Sequence, residues 1–179
     1  IPAGAFEYKK AVEDLNNHLR KKFGIKPVMG EDNYQFAFND KMIEQAGKDK
    51  DDVIEEAIKF LKQDPQYIFV FDEEHVATET MPDFIKTRML NGYMRNRSGE
   101  IGVVTRAQFF GAKNSPDYIG TQHGQPYPYD THIPWVMYGW HVNHGESAQE
   151  VTINDIAATV CAMLKIQMPS GCIGKAVLR

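Results

Sequence analysis

The chain has 179 residues, a formal net charge of −4, 42% hydrophobic residues and 11% aromatics. Such a composition can bury a core and excludes global disorder, while the acidic balance argues against a general nucleic-acid surface. No apolar run approaches the roughly 20 residues that a membrane helix needs, so no membrane partner is expected.

Because the chain starts at Ile1-Pro2 rather than at a Met, its true N-terminus is expected upstream. Tyr8, Ala11, Val12, Leu15, Leu19 and Phe23 recur at helical spacing, and Gly24 with Pro27 ends the run. Tyr34, Phe36 and Phe38 alternate with polar residues as one face of a strand does. Asp52 with Glu55 resembles a capping box ahead of an apolar stripe of Val53, Ile54, Ala57, Ile58 and Leu61. Residues 67–71 predict a short buried strand. Thr80 and Asp83 start the next helix, with Pro82 in its first turn, and residues 101–110 read as a strand. This alternation makes residues 1–112 a small α+β sandwich.

The texture changes after that point. Residues 111–131 are rich in Gly, Pro, Asn, Asp and Tyr, and predict a long loop of the kind that carries function. Residues 133–138 read as a strand with Pro134 at its mouth. Thr152 with Asp155 caps a last helix, with Ile153, Ile156, Val160, Met163 and Leu164 on one face. This strand and helix have no sheet of their own, so they predict a returning segment that completes a larger core. Trp135, Met137 and the helix face are then expected to be exposed and to favour self-association. Cys161 falls in that helix and Cys172 in a turn, without CxxC spacing. A disulfide between them stays open beside the plainer reading of one buried thiol and one loop thiol.

The histidines are the candidates for chemistry. His18 on the polar side of the first helix reads as a solvated residue. Asp72-Glu-Glu-His75 offers oxygen and nitrogen ligands, although adjacent carboxylates in a turn are more often simply solvated. His141 and His144 have chelating spacing but no further ligand nearby, which favours a surface turn. His123 stands between small residues on the long loop, where Gly124 leaves room for a metal and Tyr127 or Asp130 would orient the ring.

The stretch Gly120-Thr-Gln-His-Gly-Gln-Pro-Tyr-Pro-Tyr-Asp-Thr-His-Ile-Pro134 resembles the last metal-binding motif of the alkaline phosphatase superfamily. Residues 152–166 resemble the helix that follows it, and Pro169-Ser-Gly171 with Gly174-Lys175 resembles the closing turn. Leu90-Asn-Gly-Tyr93 and Arg97-Ser-Gly-Glu-Ile101 resemble the branch of single-chain bacterial alkaline phosphatases and type I phosphodiesterase–nucleotide pyrophosphatases. Ile1-Pro-Ala-Gly4 is similar to the segment soon after that branch's Asp-His-Gly motif.

The resemblance implies an α/β fold class: an α+β inserted subdomain over 1–112, then residues 113–179 as the C-terminal segment of a metal-binding α/β core. It implies the C-terminal fragment of a zinc-dependent phosphate-ester hydrolase, a phosphomonoesterase or phosphodiesterase, periplasmic or extracellular. Two zinc ions serve the complete enzyme, and His123 is the one metal ligand carried over. The nucleophile and the other ligands lie upstream, so this chain holds no catalytic residue and is expected to be inactive alone. The match gives His132 a packing or hydrogen-bonding role. Two other readings stand beside this one: a non-catalytic α+β binding module, and a mononuclear zinc site built from His123, His132, His141 and His144.

Overall fold

The first apolar stripe forms α1 (Tyr8–Phe23), which buries Leu15 and Leu19 and ends at Gly24 in the left-handed conformation, φ 80°. The Gly24 N–H donates to the Arg20 carbonyl at 2.9 Å and so closes the helix. The coordinates are those of a computed structural model that describes residues 4–111, 120 and 122–177. The chain divides into two units, Ile1–Ile133 and Pro134–Arg179.

In the first unit, β2 (Val28–Asp32), β3 (Gln35–Phe38), β4 (Tyr67–Asp72) and β5 (Ile101–Thr105) form an antiparallel sheet in the order β2-β3-β5-β4. Separately, β1 (Gly4–Phe6) and β6 (Phe109–Gly111) pair in parallel. Leu15 and Leu19 of α1 join Val53 and Ala57 of α3 (Lys50–Leu61) over Phe36 and Val103 of the sheet. A second cluster joins Phe71 and Val104 to Val76 and to Ile85 of α4 (Asp83–Gly92). With a cluster on each side, all five residues of β5 are buried, and a mostly apolar run replaces alternation there. Helices with mixed parallel and antiparallel strands put the fold in the α/β class.

Several boundaries differ from the sequence reading, each for a local reason. Helix α3 starts at Lys50 because Asp49, not Asp52, caps it, accepting from the Asp51 and Asp52 amides at 2.9 and 3.2 Å. Helix α4 starts at Asp83 with Pro82 at its N-cap, leaving Thr80 outside. The run 101–110 breaks after Thr105, and its end pairs with β1 instead. A short helix unforeseen in the sequence, α2 (Asp40–Gln45), is capped by the Asn39 side chain, which accepts from the Met42 amide. His18 is not simply solvated: it hydrogen-bonds Glu56 of α3 at 2.8 Å and stacks on Phe60 at 4.4 Å. Of the loop expected over 111–131, residues 112–119 and 121 lie outside the described residues, as do Ile1 to Ala3.

Residues 133–138, where the second unit begins at Pro134, are not a strand; no described strand pairs with them, so no hydrogen-bond ladder forms. Trp135 and Met137 are half-buried, whereas Val136, Tyr138 and Trp140 are exposed. The last helix, α6 (Asp155–Leu164), buries Ala158, Thr159 and Cys161. The chain end follows this helix, with Lys175 N–H donating to Asp155 Oδ1 at 2.7 Å and Val177 N–H to Thr159 Oγ1 at 3.1 Å. The other Asp155 oxygen accepts from the Thr152 amide at 2.8 Å and hydroxyl at 3.1 Å, the carboxylate half of the expected capping box, although the helix itself starts at Asp155 with Asn154 as N-cap. Ile153, Ile156, Val160 and Leu164 stay exposed. Cys161 and Cys172 are both free thiols, the first buried.

Candidate functional site

The seat of the His123 loop begins at the turn between β2 and β3. Asn33 and Tyr34 both take positive φ, 51° and 65°, giving the two-residue turn that matches strand twist. A tyrosine in this region is uncommon and must be held by its surroundings. Tyr34 is so held: its amide donates to Glu31 Oε1 at 2.6 Å, its ring stacks on Phe6 at 6.0 Å, and its hydroxyl accepts from the Gly111 amide at 3.3 Å. Burial raises the pKa of Tyr34, and burial raises that of Glu31 to about 7.

Onto this turn and the end of β5 the loop is fastened. Gln125 is buried; its side chain meets the Thr105 hydroxyl at 2.9 Å and the Tyr34 hydroxyl as well. Thr105 Oγ1 also lies 2.8 Å from the Phe109 carbonyl, so its single proton is shared between two acceptors. The Gln125 amide donates to Asp130 Oδ2 at 2.9 Å, and Tyr127 donates its hydroxyl proton to the Thr105 carbonyl at 2.6 Å. Burial pushes the Tyr127 phenol up to about 12. The short helix α5 (Pro128–Thr131) follows, and Arg88 of α4 donates to Thr131 Oγ1 at 3.0 Å.

These fastenings leave His123 exposed at a cleft of about 490 Å³, walled by Arg88, Met89, residues 123–126, Asp130, Thr131 and Ile133. Gly124 takes φ +107°, and a Cβ there would meet only the Tyr34 ring at 3.5 Å. The glycine is therefore required by backbone conformation rather than by crowding. Tyr127 and Asp130, expected to orient the His123 ring, instead pin the loop after it, to the Thr105 carbonyl and the Gln125 amide.

The remaining candidates do not converge. Asp72 caps the Glu74 amide with one oxygen and holds His75 Nδ1 with the other, at 2.8 and 3.0 Å, while Glu73 turns inward. That hydrogen bond raises the His75 pKa. The ring of His132 is exposed rather than packed, at the end of α5. His141, at φ 56°, and His144 are exposed in the second unit. Among the described residues no three His, Cys, Asp or Glu stand together as a metal site.

No family profile matches the chain. The sequence is 38% identical over 173 residues to a calcium-transporting ATPase of Myroides odoratus, covering 96% of this chain and 31% of that protein. It is 34% identical over 178 residues to alkaline phosphatase PafA of Elizabethkingia meningoseptica, covering 99% and 32%. It is 32% identical over 168 residues to alkaline phosphatase PhoV of Synechococcus elongatus, covering 94% and 30%. The crystal structure of wild-type PafA matches with a TM-score of 0.89, over 99% of this chain and 33% of that one. These matches support a segment of the alkaline phosphatase superfamily. Within it the likeness runs to PafA and PhoV, and the chain spans about a third of the length of these relatives.

Proposed function

We propose that the chain is the C-terminal segment of a zinc-dependent phosphate-ester hydrolase, a phosphomonoesterase or phosphodiesterase working outside the cytoplasm. The observation that carries this reading is the match of 99% of the chain to one third of PafA, at 34% identity and TM-score 0.89. Residues 1–112 are read as an inserted α+β subdomain and 113–179 as part of the metal-binding core.

His123 is the zinc ligand in this reading. Its exposed imidazole at the cleft suits metal approach. One imidazole is a single ligand where zinc takes about four, and the described residues supply no cluster that completes the set. When bound, zinc would supply a Lewis acid for the phosphoryl oxygens and activate the attacking oxygen. The contribution of this chain is to hold His123 in place through Gln125, Tyr127 and Asp130.

The exposed apolar side of α6 supports a larger core around the second unit. The test is hydrolysis of a chromogenic phosphate monoester and diester with added zinc, by this chain and by the longer protein that contains it. Turnover by the longer protein, lost in His123→Ala and absent from the isolated chain, is the expected result. Zinc-dependent turnover by the isolated chain would overturn the segment reading.

A further inference from the structure

Glu73 is the one charged side chain in the buried set of the described residues, at 2% exposure. Its Oε1 accepts from Gln35 Nε2 at 3.0 Å, and the Gln35 amide is fixed because its own oxygen accepts from the Gly99 amide at 3.0 Å. Glu73 Oε2 has neither solvent nor a hydrogen-bond partner among the described residues. An orphaned carboxylate oxygen in an interior is costly and calls for a partner. Glu73 lines a cavity of about 70 Å³ together with Asn33, Tyr34, Gln35, Thr105 and residues 124–126.

We propose that this cavity is a hydration site, where one or two ordered waters bind Glu73 and bridge it to the underside of the His123 loop. Glu73 is thereby a positioning residue for His123. The volume fits: a water takes about 30 Å³ of liquid, and a buried water needs two to four polar partners. Here a carboxylate, three side-chain amides (Asn33, Gln35 and Gln125) and two hydroxyls are among the lining groups. The approach of Glu73 to the sheet is built in, since a Cβ on Gly102 would lie 2.4 Å from Glu73 Oε1. A solvated bridge of this kind binds as firmly as a direct hydrogen bond while filling a space that no side chain reaches.

The hydration site stands on geometry alone; the consequence for His123 rests on the metal-ligand reading above. The experiment uses this chain and follows water-to-amide cross-relaxation by NMR, amide exchange, and the order of the His123 ring. In the parent chain, a long-lived water contacting the Gly124 or Gln125 amide is expected. Glu73→Leu removes that signal, speeds exchange at Gln125 and Tyr127 about tenfold and loosens the His123 ring, while Leu15 and Leu19 amides keep their protection. Glu73→Gln, which keeps hydrogen-bonding atoms in place, restores the water and the ordered ring.

Absence of the water in the parent chain, or an undisturbed loop in Glu73→Leu, overturns the proposal. If Glu73→Leu does not fold, a high-resolution crystal structure of the parent chain decides by the presence or absence of water density at Oε2. His123→Ala leaves the water signal intact, so a failure of zinc binding at His123 is separable from a failure of the hydration site.

Discussion

The Thr105 hydroxyl and the side-chain oxygen of Gln125 stand 2.9 Å apart in a buried contact that ties the end of β5 to the loop bearing His123. Gln125 also reaches the Tyr34 hydroxyl, and its amide is held by Asp130. Gln125→Leu removes one partner from each of the Thr105 and Tyr34 hydroxyls, leaving Thr105 with the Phe109 carbonyl and Tyr34 with the Gly111 amide. The expected loss is about 0.5–1.5 kcal/mol, the usual net contribution of a hydrogen bond whose partner keeps another. Urea unfolding measures it, and a double-mutant cycle with Thr105→Val isolates the pair. Strict additivity in that cycle would mean that the contact contributes nothing.

A second prediction concerns pH. Burial raises the Glu73 pKa from 4.5 to about 7, opposed by the Gln35 hydrogen bond and aided by Asp72. The folded state therefore holds its proton more tightly than the unfolded state. Between about pH 4.5 and 7 the native chain binds the extra proton, so stability falls as pH rises through that window and levels off above it. At 1.36 kcal/mol for each unit, Glu73 contributes at most about 3 kcal/mol of this slope. Glu31 shifts in the same direction and adds to it. Tm against pH for Glu73→Gln should run flatter than for the parent chain, with its gain concentrated above pH 7.

Gly102→Ala tests the approach of Glu73 to the sheet. Its Cβ would lie 2.4 Å from Glu73 Oε1 and 2.5 Å from the Phe71 ring, both in the packed interior. Overpacking of this kind costs about 1–3 kcal/mol. Thermal unfolding should show it, and a neutral Gly102→Ala would mean that Glu73 can move aside freely.

The helices of the first unit were legible because their apolar stripes face a core within the same unit: Leu15, Leu19, Val53 and Ala57 are all buried where the periodicity put them. Residues 133–138 differ from the strand that their pattern predicts for the converse reason: the described residues offer them no strand to pair with. Helix α6, by contrast, forms where its periodicity puts it, with its apolar face exposed as a returning segment implies. His123 was singled out by its motif. Gln125 carried no signal, because a glutamine two residues after it, in a Gly-Pro loop, reads as solvent-facing until the positions of Thr105 and Tyr34 are known. The burial of Glu73 was hidden likewise among the carboxylates of Asp72 and Glu74, which do face outward.

The last prediction concerns α6. Ile153 is 74% exposed, Leu164 53%, and Ile156 and Val160 40% each, which is a contiguous helical face rather than scattered residues. Burying such surface is favourable at about 25 cal/mol for each Å², so the isolated chain should associate as its concentration rises. Val160→Lys with Leu164→Lys puts two charges on that face without touching Ala158, Thr159 or Cys161. Sedimentation velocity should shift toward monomer in the paired variant, and Tm should stay within about 1 °C, since exposed substitutions rarely change stability much. A parent chain that sediments as a monodisperse monomer at every concentration would sink the idea. In the longer protein the same face would be covered, so there the two lysines should destabilise instead of solubilise.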